Sequence, residues 1–374
     1  MRVRDILLVH ELPLWLAWIT ILAFLGFDLT DRWLSDLEYP LLFTALFLWL
    51  FIMVIWNSFE VAHHVEMLAE SIPEPLGTLI LTLSVTSIEI VTIVNIMLVG
   101  EESPTLVRDT MYAIIMIVLN GIIGLSLLLG GLRYREQRYN LRGSIEFASV
   151  ILVLAVIGLI LPDFTMTTPG PTFSTGQTIF LIFTSLGVYA IFLYMQTLSH
   201  TKHFVSPFES QQPSKPLKIH IRYPQQSGLY HGIMLIAYLI PTLVIAEQIA
   251  VPIDATVTDL NPPQALGGLL VAVLVLAPEA VSAIRASLAN RLQRSVNIAL
   301  GSVLATTALT IPIVLTIGLY TGQSIILGLS KPNIALLALT LVTVIVTFAS
   351  GRTSILQGSL HLLLFFAYIM LIFD

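Results

Sequence analysis

Apolar runs near residues 12–28, 40–58, 75–99, 110–131, 145–162, 176–198, 229–250, 265–285, 295–319, 333–349 and 354–373 dominate the chain. Most approach the roughly 20 residues that an α-helix needs to cross the hydrocarbon core of a bilayer. Hydrocarbon offers the backbone no hydrogen-bond partner, so segments of this length cross it as helices, which satisfy their own peptide groups. Composition agrees: 56% of the 374 residues are hydrophobic and 11% charged, against about 25% charged in an ordinary soluble domain. The expectation is an all-α polytopic membrane protein with about 11 transmembrane helices. No small-residue cleavage site follows a short apolar core in MRVRDILLVHELPLW, so the first run reads as a retained span. The absence of cysteine removes disulfides and thiolate metal sites.

Basic residues give an independent check, because Lys and Arg concentrate in cytoplasmic loops. With the N-terminus inside, the inner segments hold Arg2 and Arg4, then Arg133, Arg135, Arg138 and Arg142, then Lys202, Lys215, Lys218 and Arg222, then Arg285, Arg291 and Arg294, and finally Arg352. Only Arg32, Arg108 and Lys331 fall outside. Eleven spans with a cytoplasmic N-terminus and an outer C-terminus fit this distribution. Residues 199–228, polar and with four prolines, read as a cytoplasmic linker. The expected organisation is a leading helix and outer loop over 1–39, a first five-helix repeat over 40–198, the linker, and a second five-helix repeat over 229–374. Five is odd, so the second repeat enters the membrane from the opposite side, giving inverted repeats.

The two halves carry matching polar residues where a membrane protein least tolerates them. Pro73, Gly77 and Glu89 map onto Pro263, Gly267 and Glu279 with a constant offset. A carboxylate in hydrocarbon costs several kcal/mol and persists where it faces a cavity and binds something. One such glutamate in each half predicts a single shared site for a cation or a proton. One helix later, Asn120 and Gly124 in VLNGIIG match Asn297 and Gly301 in VNIALGS with the same spacing. Thr82, Thr86, Ser302 and Thr306 add hydroxyl oxygens near the same depth, and Pro278 leaves a carbonyl without its helical donor beside Glu279. Hard oxygen ligands with two negative charges suit Ca²⁺; Mg²⁺ dehydrates reluctantly, and no imidazole or thiolate lies deep enough for a transition metal.

GTLILTLSVTSIEI, preceded by VAHHVEMLAESIPEP, together with APEAVSAIRASLANRLQRSVNIALGSVLATTALTIP, resembles the calcium/proton antiporters of the cation/calcium exchanger superfamily, in their bacterial ChaA-like branch. The resemblance implies a secondary antiporter of the bacterial inner (cell) membrane that exports Ca²⁺ in exchange for H⁺. It implies Glu89 and Glu279 as the shared ligands, no cofactor beyond the transported ions, and Na⁺ or K⁺ as alternative cargo. Better-known eukaryotic members carry Gly-Asn before the glutamate, where this chain has Thr86-Ser87-Ile88 and Ala277-Pro278. Nothing in the chain points to a nucleic-acid partner, and the sequence sets no oligomeric state.

Other readings compete at particular residues. The same carboxylates could line a cation channel, although duplicated inverted halves suit alternating access better. His63, His64 and Glu66 superficially resemble a metalloenzyme's ligands, but the HExxH zinc spacing and any nucleophile pattern are absent. Asparagine also ties helices together, and Glu247 and His361, near span ends, are explained by interfacial placement. Finally, Glu60, His63, His64, Glu66 and Glu70 share one helical face of the second span's polar extension. That stripe is expected to be solvated at the inner mouth, where it would gather cations and sense cytoplasmic pH.

Overall fold

A computed structural model describes residues 11–34, 38–69, 75–99, 105–206, 228–260, 263 and 265–373. Among them the chain forms α1 (Leu12–Phe27), a short helix Leu29–Trp33, α2 (Pro40–Ala69) and α3 (Leu76–Val99). Next come α4 (Leu106–Met116, continuing through the π-turn Ile117–Ile122 into Ile123–Tyr134), α5 (Leu141–Ala155, continuing through Val156–Ile160) and α6 (Thr175–Tyr194, continuing through Met195–Ser199). The second half comprises α7 (Gly228–Leu260), α8 (Ala265–Leu288), α9 (Leu292–Ala305, then the π-turn Thr306–Thr310 and Ile311–Thr321), α10 (Lys331–Phe348) and α11 (Ile355–Ile372). Among the described residues, 9 helices are long and apolar enough to cross a membrane, and two shorter apolar stretches, Leu12–Phe27 and Thr82–Val94, supply α1 and the core of α3. The helices occupy the eleven positions expected from hydropathy.

The two halves interlock. α2 packs on α8 and α7 packs on α3; α3 also meets α9, and α8 meets α4, so each half covers the counterpart of its own partner. Among the described residues, α2 and α7 form the most extensive contact between two helices. At 1.5 Å per residue, their 30 and 33 residues run well past the ~30 Å hydrocarbon core. α2 therefore continues far beyond the expected 40–58 as one rod. Where the backbones must meet, the sequence places glycine: a Cβ on Gly268 would lie 2.6 Å from the backbone of Asp109 and Thr110, and Gly358 stands against the backbone of Gly124 and Leu128. The only strands among the described residues are Gln137–Arg138 and Arg352–Thr353, an antiparallel two-residue ladder joining the α4–α5 and α10–α11 turns.

Candidate functional site

Thr82, Thr86 and Glu89 are spaced 4 and 3 residues apart on α3, which puts them on one helical face, and all three are buried. They face α9: Thr82 Oγ1 stands 3.4 Å from where a Cβ on Gly301 would sit. Farther along α9, Thr306 donates to Glu89 Oε2 at 3.0 Å and Thr310 donates to Glu89 Oε1 at 2.8 Å. The Thr306 hydroxyl also lies 3.1 Å from the Ser302 carbonyl, so its single proton is shared between two acceptors. Thr306 and Thr310 bound the π-turn Thr306–Thr310, an irregularity frequent at functional sites.

Glu279 enters from α8 and is 1% exposed. Both of its carboxyl oxygens are buried and lack a hydrogen-bond partner. Ser302 borders it, and Glu89 lies near enough for the two charges to interact. Pro278, the residue before it, interrupts the hydrogen-bond ladder of α8. A carboxyl group with no partner in an apolar interior carries a penalty of several kcal/mol that only a proton or a cation removes. The geometry is thus asymmetric: Glu89 is held by two hydroxyls, while Glu279 is left open. Among the described residues no three acidic, imidazole or thiol groups come together to hold a metal.

The two asparagines, expected from their repeated spacing to border the ion, bond other groups in this structure. Asn120, in the π-turn of α4, donates to Thr340 at 2.9 Å, and its Oδ1 pairs with His361 Nδ1 at 3.2 Å. His361, expected near an interface, is instead fully buried and bonds Thr347 through Nε2 at 3.0 Å. This network ties α4 to α10 and α11. Asn297 donates to the Phe204 carbonyl at 2.7 Å and accepts from Gln293 at 2.8 Å. Neither amide bonds a glutamate. Thr310 was not singled out from the sequence; its signal is the four-residue spacing Ser302, Thr306, Thr310 along α9.

The stripe on α2 also differs from expectation. His64 is fully buried, not solvated, because α7 lies along this face. Its Nδ1 pairs with His231 Nδ1 at 3.0 Å, and its Nε2 lies 3.7 Å from Glu11 Oε2. Tyr230 and Tyr238, also from α7, donate to the two Glu11 oxygens. Burial opposes the charge on Glu11, but the His64 imidazole and the two tyrosine hydroxyls outweigh it and hold the carboxyl at about 2. Glu60 and His63 are half-buried. Glu70 and the side chains of Glu66 and Glu247 lie outside the described residues.

Residues 42–198 and 231–373 match the model of the family described as sodium/calcium exchanger protein. The chain is 39% identical over 321 residues to the sodium-potassium/proton antiporter ChaA of Escherichia coli (strain K12), covering 86% of each. It is 20% identical over 239 residues to the Ca²⁺/H⁺ antiporter ChaA of Bacillus subtilis (strain 168), covering 64% of this chain and 66% of that one. Its fold is similar to the structure of native YfkE, with a TM-score of 0.69 at 18% identity over 96% of this chain and 99% of that one.

Proposed function

The chain belongs to the sodium/calcium exchanger family, and on that footing we propose that it is a secondary antiporter that exports Ca²⁺ in exchange for H⁺ by alternating access, with Glu89 and Glu279 as the shared ligands. The observation that carries this reading is the buried carboxyl of Glu279, both oxygens unpartnered, beside a second buried carboxyl already oriented by Thr306 and Thr310. Two such groups cannot both stay ionised in an apolar interior without a counter-charge. A divalent cation neutralises both at once, and protons do the same by binding the same oxygens. Occupancy by one therefore excludes the other, which is the coupling an antiporter needs. The neutralised site is the one that can reorient between the two sides of the membrane. Thr82, Thr86 and Ser302 supply further oxygens along the route. The basic segments support a cytoplasmic N-terminus, so Ca²⁺ enters from the side of Arg133–Arg142 and Arg285–Arg294 and protons from the other.

A second reading, a Na⁺(K⁺)/H⁺ antiporter on the same scaffold, is favoured by the likeness to the sodium-potassium/proton antiporter. There monovalent ions take the place of the divalent one, and protons displace them from the same carboxyl oxygens. Proteoliposomes with an imposed pH gradient and a panel of Ca²⁺, Na⁺, K⁺ and Mn²⁺ separate the two. Glu89→Gln and Glu279→Gln each abolish coupled exchange while leaving a folded protein. Normal proton-driven transport in either variant overturns the assignment of both carboxylates, and flux indifferent to an opposing proton gradient makes the protein a channel.

A further inference from the structure

We propose that the segment following α6, Thr201–Ser206, is a docked plug that closes the cytoplasmic end of the route to Glu89. This chain leaves α6, makes a single 3₁₀ turn over Thr201–His203, and then runs into the protein instead of away from it. Phe204 is 0% exposed and packs edge-to-face against Phe147 of α5 and Phe192 of α6, at ring-centroid distances of 5.5 and 5.4 Å. Its carbonyl accepts the Asn297 amide of α9 at 2.7 Å. Asn140, at the start of α5, donates its side-chain amide to the carbonyl of Lys202 at 2.8 Å and faces that of Val205 at 3.3 Å. The Asn140 backbone N–H donates to Gln293, which in turn donates to Asn297. The hydrogen bonds therefore run from α5 through α9 to the plug. At the rim His203 Nδ1 meets Glu146 at 2.8 Å. The approach is so close that a Cβ on Gly143 would overlap the His203 carbonyl oxygen.

What this segment covers gives it a function. Phe147, Phe192 and Asn297, three residues that Phe204 touches, form one wall of a small cavity whose other lining includes Thr82, Gln196 and Leu304. Thr82 begins the polar face Thr82, Thr86, Glu89, so the cavity opens onto α3 about 10 Å along the helix from the carboxyl, at 1.5 Å per residue. The same asparagine that the sequence suggested as a ligand is thus the latch of the plug, and releasing Phe204 frees its amide to face the cavity. Naming this a gate on an ion route rests on the antiport reading; the seal itself does not.

Thiol accessibility tests the seal without reference to transport. The chain has no cysteine, so Leu304→Cys, 1% exposed and lining the cavity, is labelled in the full-length protein in inside-out vesicles with a small cationic, membrane-impermeant methanethiosulfonate. Gly143→Ala, which prevents docking, and Phe204→Ala, which removes the plug, each raise the labelling rate at least tenfold. Leu315→Cys, in a cavity toward the other end of α9 and labelled in right-side-out vesicles, keeps its rate in both backgrounds. Unchanged labelling of Leu304→Cys overturns the proposal, as does equal acceleration at Leu315→Cys, which would report a loosened fold. Where the two plug variants disagree, Phe204→Ala decides, since Gly143→Ala also alters the packing of α5.

Discussion

Replacing Glu11 by Gln keeps the shape of the side chain and removes its charge, which isolates what the charge contributes to the α1–α2–α7 junction. The carboxyl lies at about 2 against 4.5 when free, a difference worth about 3 kcal/mol at 1.36 kcal/mol per unit. A glutamine in its place still accepts from one of the two tyrosine hydroxyls, so about 1.5 to 2 kcal/mol is the expected loss. Its folded value is below its free value, so the stabilisation is complete above pH 4.5 and is lost as pH falls from 4.5 toward 2. Intrinsic fluorescence is well suited to the measurement: all five tryptophans, Trp15, Trp18, Trp33, Trp49 and Trp56, lie in the first 56 residues, on or beside α1 and α2. Thermal unfolding in detergent at pH 7 gives Glu11→Gln a midpoint a few degrees below the parent, and the gap narrows at pH 3. The same substitution in a His64→Gln background costs less, because the charge has lost one of its partners. A gap of equal size at pH 3 and pH 7, or none at pH 7, refutes the argument.

Three further outcomes follow from the packing and the hydroxyl network. Thr310→Val removes a donor to the Glu89 carboxyl; a hydrogen bond to a charged group is worth about 1.5 to 3 kcal/mol, so the half-saturating ion concentration at fixed pH rises about tenfold or more in ion-driven proton-flux assays. Asn120→Ala strands His361 and Thr340 in the interior and lowers stability by about 1 to 3 kcal/mol, read as a fall in the unfolding midpoint, with ion affinity unchanged; a tenfold affinity loss at constant midpoint returns Asn120 to the ion. Gly268→Ala forces α8 away from the Asp109–Thr110 backbone and costs about 1 to 3 kcal/mol of overpacking, against which the better helix propensity of alanine recovers at most about 1 kcal/mol; an unchanged midpoint refutes the close approach.

The residues that could be read from sequence are those whose own environment is set by their own segment. Glu89 and Glu279 stand out because the cost of a carboxylate in an apolar run is local, and repetition in two halves removes coincidence. The helices are legible for the same reason, since apolar length alone decides them. Asn120 is a different case. An amide in a helix bonds whichever polar group the facing helix brings, and that group is Thr340, 220 residues away, with His361 a further 21 beyond it. The α2 stripe misled for the same reason: its periodicity is amphipathic, but what covers its polar face is Glu11 together with Tyr230, His231 and Tyr238 of α7, and no periodicity on α2 reports them. The segment after α6 reads as linker because its composition is polar, yet Asn140, Gly143 and Asn297, three residues from two other helices, create a place for it. In a helical membrane protein the charged residues announce the site, whereas the neutral polar residues acquire their roles only when the helices have met. The amides of this chain therefore belong first to the question of how its helices are held, and on the proposed reading the exchange of ions at the two glutamates would be governed by that holding as much as by the ligands themselves.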